Sequence, residues 1–324
     1  MYFEWWHAIL KVKWDGKKLE FVSDELKNNE RVVTAAVTRC GRALEFASDR
    51  LKNNERVVTI AVATTGRALE FASDRLKNNA QIVTTAVTGD GGALKHASYP
   101  LRQNVQIVTA AVTQEGWALQ HASRELKNNA RIVAIAVAQS GTALHYASNE
   151  LKNNERVTTI AVQHNGRALQ WASNELKNNV WVVTAAVTKN GEALRFASNH
   201  PRNNQRVVTI AVANFGWALE FASERLKNNK RVVTAAVGQY GCALEFASNR
   251  LKNNKRVVAI AVARDGRSLR FASSNWKGNV GTVLEALRQN QLAWKHVSHQ
   301  DFIVATVTRY SSTPNIIGST RFKG

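Results

Sequence analysis

Sliding the sequence past itself by 25 residues superimposes Gly16, Gly41, Gly66, Gly91, Gly116, Gly141, Gly166, Gly191, Gly216, Gly241 and Gly266. No other feature restricts the fold as much. A fixed period of about 20–50 residues marks stacked repeats, in which each unit buries its apolar face only against its neighbours. The unit is clear from Leu51 to Arg75, where Asn54 precedes Glu55-Arg56-Val57-Val58-Thr59-Ile60-Ala61-Val62 and Gly66 closes the run. This predicts a helix with an Asn54 N-cap, an acid in its positive first turn and Gly66 at the C′ position. Val57 with Ala61, and Val58 with Val62, share a face at four-residue spacing. Strict alternation is missing, which argues against a strand.

After the glycine, Arg67-Ala68-Leu69-Glu70-Phe71-Ala72-Ser73-Asp74-Arg75-Leu76 predicts a second helix, with Leu69, Ala72 and Leu76 on one face. Lys-Asn-Asn loops join the units. The expected fold is all-α: an α-solenoid of about twelve helix-turn-helix repeats. At roughly 1.5–3 kcal/mol per buried large apolar side chain, one such unit falls short of its own ordering entropy, so only the stack is stable.

Residues 1–15 read as an N-terminal cap or partial repeat, 16–275 as the regular array, 276–310 as degenerate capping repeats and 311–324 as an irregular tail. Trp5, Trp6 and Trp14 are expected to cover the first end of the stack. Tyr99-Pro100 and His200-Pro201 are expected to shorten the second helix of their repeats. Trp276, Gly278 and Gln291 replace the usual leucine, asparagine and glycine, while Val283, Leu284, Leu287 and Trp294 keep a helical core; Phe302 to Val307 resembles the first helix once more.

The net charge of +20 and pI near 10.3 point to acidic partners. Cys40 and Cys242 lie eight repeats apart and read as free thiols, which places the chain in a reducing, intracellular compartment. No run of 18 apolar residues exists, and the start at Met1 lacks the layout of a secretory signal.

Several columns recur. The aromatic column Phe21, Phe46, Phe71, His96, His121, Tyr146, Trp171, Phe196, Phe221, Phe246, Phe271 is expected in the core. The serine column and the second asparagine are expected to satisfy helix ends. A basic column, Lys27 to Lys277, flanks the N-terminus of each first helix, where free amides favour anions. It is densest at Lys227, Lys230, Arg231, Lys252, Lys255 and Arg256, the candidate anion-binding residues, although Asp24, Asp49 and Asp74 neutralise such turns elsewhere. The variable ridge beside the glycine carries Phe215, Trp217 and Tyr240 on consecutive repeats, with Trp117 earlier and Trp181 in the first turn of another helix. Exposed aromatics in a cluster are the usual anchors of protein interfaces, so these five are the candidate protein-binding residues.

The runs Leu26-Lys27-Asn28-Asn29-Glu30-Arg31-Val32-Val33-Thr34-Ala35-Ala36-Val37 and Gly41-Arg42-Ala43-Leu44-Glu45-Phe46-Ala47-Ser48 closely resemble the repeats catalogued as domain of unknown function 4116. The resemblance extends over roughly residues 16–300, with Gly278 and Gln291 departing from the pattern. It implies short helical repeats and carries no catalytic residues over to this chain.

No nucleophile–base pair, metal-ligand spacing or phosphate loop is apparent, so neither cofactor nor metal is expected and the chain reads as a non-enzyme. The expected role is a scaffold or accessory subunit that binds one or more acidic proteins within a larger assembly. The alternative is an RNA or DNA binder using the Lys/Arg rows, and peripheral membrane association stays open.

Overall fold

The computed structural model describes residues 2–298, in which two compact units divide at Leu176/Lys177. Within each unit the 25-residue period is realised as an all-α solenoid. Calls made on residues 299–324, the helix-like run from Phe302 and the tail from 311, lie outside the described residues. In the first unit the long helices include Glu30–Arg39, Glu55–Thr64, Ala80–Gly89, Val105–Gln114, Ala130–Gln139 and Glu155–His164; in the second they include Val180–Lys189, Gln205–Asn214, Lys230–Gln239, Lys255–Arg264 and Val280–Gln289. Successive long helices pack side by side as one layer of their unit, and the segments that follow the glycines form the other.

The first helix of each repeat forms as its sequence predicts. Asn54 adopts an extended conformation and its Oδ1 accepts the Val57 amide at 3.1 Å. Val57, Val58, Ala61 and Val62 are buried. Threonine and valine are mediocre helix formers, so this packing holds the helix, while Thr64 satisfies its hydroxyl on the Ile60 carbonyl at 2.9 Å.

The second helix does not form as one piece. Gly66–Phe71 is a 3₁₀ segment, Ala72 and Ser73 are extended, and only Asp74–Lys77 returns to an α turn. The cause lies in the neighbouring repeat: the Ser73 amide donates to the Lys52 carbonyl at 2.9 Å instead of continuing a helix. Ser48 with Lys27, Ser98 with Lys77, Ser148 with Lys127 and, in the second unit, Ser223 with Arg202 repeat this bond. Side chains reinforce it, since Ser73 Oγ and Arg75 Nε both donate to Asn53 Oδ1, at 2.7 and 2.9 Å.

A 3₁₀ segment has three residues per turn, so it stacks Ala68 under Phe71 and Leu69 under Ala72. Ala68 and Leu69 are fully buried, and Phe71 lies at the margin, half-buried. The aromatic column is therefore not core: Phe46 to Phe271 are half-buried and Phe21 is 74% exposed. Valine, alanine and leucine fill most of the core, with isoleucine in the first valine column at Ile82, Ile107 and Ile132.

The glycines also serve a different end from the C-cap expected of them. Gly16, Gly41, Gly66, Gly91, Gly116, Gly141, Gly191, Gly216, Gly241 and Gly266 all have φ outside the left-handed range, and Thr65, not Gly66, ends the helix. A Cβ on Gly66 would lie 2.4 Å from the Ala86 carbonyl oxygen of the next repeat, so glycine is required by close approach of backbone to backbone.

The prolines differ from each other. After Pro100 the short α turn is replaced by a 3₁₀ turn, Leu101–Gln103, whereas Pro201 is buried within an intact Asn199–Arg202 turn. In the first turn of a helix the amide that proline lacks has no intrahelical acceptor, so the substitution is tolerated there. At the chain start Ala8 and Val12 are buried as their columns predict, but Trp6 and Trp14 do not cover the end; they are 57% and 87% exposed. Trp14, Leu10, Phe21 and Leu26 line an open cleft of about 960 Å³ beside them. Toward the other end Ser274–Lys277, Val280–Gln289 and Gln291–His296 keep the repeat conformation despite Trp276, Gly278 and Gln291.

Two expectations follow for stability. Gly66→Ala should destabilise the first unit by roughly 2–4 kcal/mol through the carbonyl clash, whereas Gly89→Ala, with nothing within 4 Å of its Cβ, should be neutral or stabilise by up to about 1 kcal/mol; urea denaturation distinguishes them. Ser268 stands in the buried alanine column with its Oγ buried and unbonded, so Ser268→Ala should stabilise the second unit by about 1 kcal/mol in the same assay.

Candidate functional site

The aromatic group foreseen on the ridge is built by the close approach of successive repeats. Phe215 and Tyr240 each end a long helix in extended conformation, donating their amides to Ala211 and Ala236 at 2.8 and 2.9 Å. Trp217 follows Gly216, on the outer face of the 3₁₀ segment, and its ring lies 5.6 Å from Tyr240 and 5.0 Å, edge-on, from Phe246 of the next repeat. Its indole Nε1 donates to Glu220 Oε2 at 2.8 Å, which orients the ring. All three rings are half-buried, with Tyr240 and Phe246 inclined at 45° and 71° to the Trp217 ring, so part of each ring is left on the surface. Burial raises the Tyr240 phenol above its ordinary range, followed by the effect of Cys242, which keeps the hydroxyl protonated. Burial likewise pushes the Cys242 thiol up to about 11, ahead of the Asp265 carboxylate that its Sγ meets at 3.4 Å. Cys40 and Cys242 are both free.

Phe215 is the most accessible of the foreseen trio, at 37%, and its Cβ occupies the space above Gly191 of the preceding repeat. Trp217 reaches forward and Phe215 backward, so the ring cluster is Trp217–Tyr240–Phe246, with Phe215 one repeat to its side. Phe246 was missed because its column reads as core; the 3₁₀ geometry that exposes it has no separate signature in the sequence. Trp181 is 73% exposed on the first turn of its helix, with its amide on Asn179 Oδ1. Trp117 belongs to the first unit, where its ring meets His121 edge-on at 6.0 Å and Arg67 lies 5.9 Å over it.

The basic residues divide by column. Lys230, Arg231, Lys255 and Arg256 are exposed, whereas Lys227 and Lys252 are half-buried. Lys227 Nζ also contacts Glu224 at 2.9 Å. The main-chain carbonyls of that column accept the serine amides of the next repeat, a bond in which the side chains take no part.

Half-exposed rings with cations over them recur along both units. Arg42 lies over Phe71 at 5.7 Å, Arg195 over Phe196 at 5.3 Å and Arg270 over Phe271 at 4.3 Å. Where histidine replaces phenylalanine the setting is unusual. His121 is pushed down to about 4, first by burial and then by Lys95, Arg102 and Lys127, and His96 is lowered by burial despite Glu70 Oε2 at 4.0 Å. Among the described residues no group of three His, Cys, Asp or Glu could hold a metal ion, and no helix is long and apolar enough to cross a membrane.

The family described as Domain of unknown function (DUF4116) matches residues 8–52, 30–75, 54–102, 104–152, 154–202, 204–252 and 232–277. No curated protein and no solved structure matches the chain.

The titration of His121 has a definite sign. Above pH 6.5 the imidazole is neutral in both folded and unfolded chains; between 6.5 and about 4 the unfolded chain takes up a proton that the folded one refuses. Stability of the first unit should therefore fall as pH drops through that window. His121→Phe should flatten the decline, read as the denaturation midpoint against pH.

Proposed function

The chain belongs to the DUF4116 family, and we propose that it acts as a non-catalytic α-solenoid scaffold or accessory subunit, docking protein partners through the Trp217–Tyr240–Phe246 surface with Phe215 beside it. One observation carries the reading: a tryptophan held rigid by Tyr240, Phe246 and Glu220 is half-exposed on a repeat array. Pre-ordered aromatic rings lose little entropy on binding, which is why such groups anchor interfaces. Trp181 offers a further exposed anchor in the same unit. Catalysis has no place in the reading, since the recurring polar groups are engaged in the fold. Serine and the first asparagine of each loop bond between repeats, and the second asparagine caps a helix.

Exposed Lys230, Arg231, Lys255 and Arg256, with the +20 net charge, suit an acidic partner. They also support a second reading, in which the rows attract a nucleic-acid backbone. Duplex DNA carries one charge per about 1.7 Å, far denser than one row of residues per repeat, so such binding would be non-specific and steeply salt-dependent.

Both readings meet in one experiment. Affinity capture with the intact chain is compared with Trp217→Ala/Tyr240→Ala and with Lys230→Glu/Lys255→Glu, alongside fluorescence anisotropy on single-stranded RNA and duplex DNA across a salt series. The docking reading expects the aromatic variant to lose its specific protein partners, with affinity down about 30-fold or more and an unchanged helical spectrum. Partner retention by that variant, with submicromolar nucleic-acid binding that survives near-physiological salt, would put the second reading first.

A further inference from the structure

We propose that the outer face of the long helices in the second unit binds single-stranded nucleic acid, with Trp181 stacking on a base and the Lys/Arg row beside it following the phosphates. The face is built by Val180–Lys189, Gln205–Asn214, Lys230–Gln239 and Lys255–Arg264, which pack side by side in that order. Their valines are buried, and so is an alanine column, as at Ala186 and Ala211. Trp181, Arg206, Arg231 and Arg256 therefore fall in one exposed row, with exposed Lys230 and Lys255 beside the last two. Packed helices lie about 8–10 Å apart, so the row presents the ring or a cation at each such step. Lys189 and Arg264, at the opposite ends of their helices, are exposed as well.

These four helices carry seven Lys and Arg residues and not one acid. The six acids among the described residues of the second unit all lie elsewhere. Glu192, Glu220 and Glu245 are on the 3₁₀ segments, Glu224 is on a short α turn, Asp265 follows the end of a long helix and Glu285 belongs to the next one. Five of them are engaged where they stand: Glu192 with Arg195 at 3.4 Å, Glu224 with Lys227 at 2.9 Å, Asp265 with Arg267 at 2.8 Å, Glu285 with Arg288 at 3.6 Å and Glu220 with the Trp217 indole at 2.8 Å. In the first unit Glu30, Glu55 and Glu155 occupy the column of Lys230 and Lys255, and Glu30 meets Arg56 at 3.9 Å. Asn179 and Asn229 already accept the Trp181 and Arg231 amides, at 2.9 and 3.0 Å, so side chains and not open helix ends make the face positive.

An acid-free track of cations is complementary to a polyanion, and Trp181 decides which one. Its side chain is 73% exposed, while the surface beyond it is small, with Ala213, Gly238 and Ala263 exposed and Thr184, Thr209 and Thr234 half-buried. A lipid surface takes up an apolar stripe together with cations, and this face has one ring and no stripe. A duplex keeps its bases stacked within and leaves the ring without a partner, whereas a single strand offers base faces to an aromatic beside a cation track. The proposal rests on the second reading of the basic rows and narrows it to one face and one class of nucleic acid. It is independent of the Trp217 surface, which belongs to the other layer.

The test is fluorescence anisotropy of the full chain with a short single-stranded RNA, the matching duplex and polyglutamate, across a salt series. Lys230→Glu/Lys255→Glu is compared with Arg195→Glu/Arg270→Glu, an equal change of charge on the other layer. Both install a residue that their columns carry elsewhere, at Glu55 and Glu220, which guards against misfolding. The first variant should weaken single-strand binding at least about tenfold and the second less than about threefold, and the first should flatten the slope of log K against log salt from about −3.5, for five cations, to about −2. Trp181→Ala should weaken single-strand binding about five- to a hundredfold at an unchanged slope, and Trp181→Phe should keep most of it. Equal losses from the two charge reversals, indifference to Trp181→Ala, or duplex or polyglutamate bound as tightly as the single strand would overturn the proposal, while leaving the basic rows as a generic attractor of polyanions. No binding of any nucleic acid by the unaltered chain would remove the second reading and the proposal together.

Discussion

The hydrogen bond from the serine amide of one repeat to the lysine carbonyl of the repeat before it governs much of the rest. To make it, Ser73 must leave the helix that its flanking residues would otherwise continue, and the chain from Gly66 to Lys77 breaks into a 3₁₀ segment, two extended residues and a single α turn. The same approach of repeats brings the Ala86 carbonyl so near Gly66 that no side chain fits between them. Backbone contact sets the spacing of the stack, and side chains fill what space it leaves.

That spacing decides which side chains become surface. Three rows of valine or isoleucine, three of alanine and two of leucine per repeat fill the core, as at Val57, Val58, Val62, Ala61, Ala68, Ala72, Leu69 and Leu76. The three-residue turn of the 3₁₀ segment then raises the aromatic column to the margin, half in and half out. A structural column thereby becomes a surface of rings, which local substitutions vary: arginine over phenylalanine in several repeats, a tryptophan between two rings at Trp217, and histidine among cations at His121. The core stays uniform while the margin differs from repeat to repeat, as suits a scaffold whose partners engage particular units.

Polar groups show the same economy. The first asparagine of most loops receives a serine hydroxyl and, at Asn53 and Asn228, where arginine stands two residues after that serine, a guanidinium as well. The second asparagine caps the next long helix. A recurring serine and asparagine might suggest chemistry in a single domain; here they are the mortar between units, and the residues that vary are the ones left over for binding.

The sequence by itself determined the period, the all-α class, the capped first helix and the valine–alanine core, because each rests on local rules: capping, four-residue spacing and repetition. Asn54, Val57, Ala61 and Leu69 behave as those rules require. Only the tertiary structure decided that Gly66 faces a neighbour's carbonyl, that Pro201 leaves its turn intact, and that Phe246 is half-exposed beside Trp217. Those outcomes depend on how far apart adjacent repeats sit, a distance set by hydrogen bonds between residues about one repeat apart. No window of local sequence contains both partners of such a bond, so the members of the ring cluster could be listed by column but not assembled until the stack was in place.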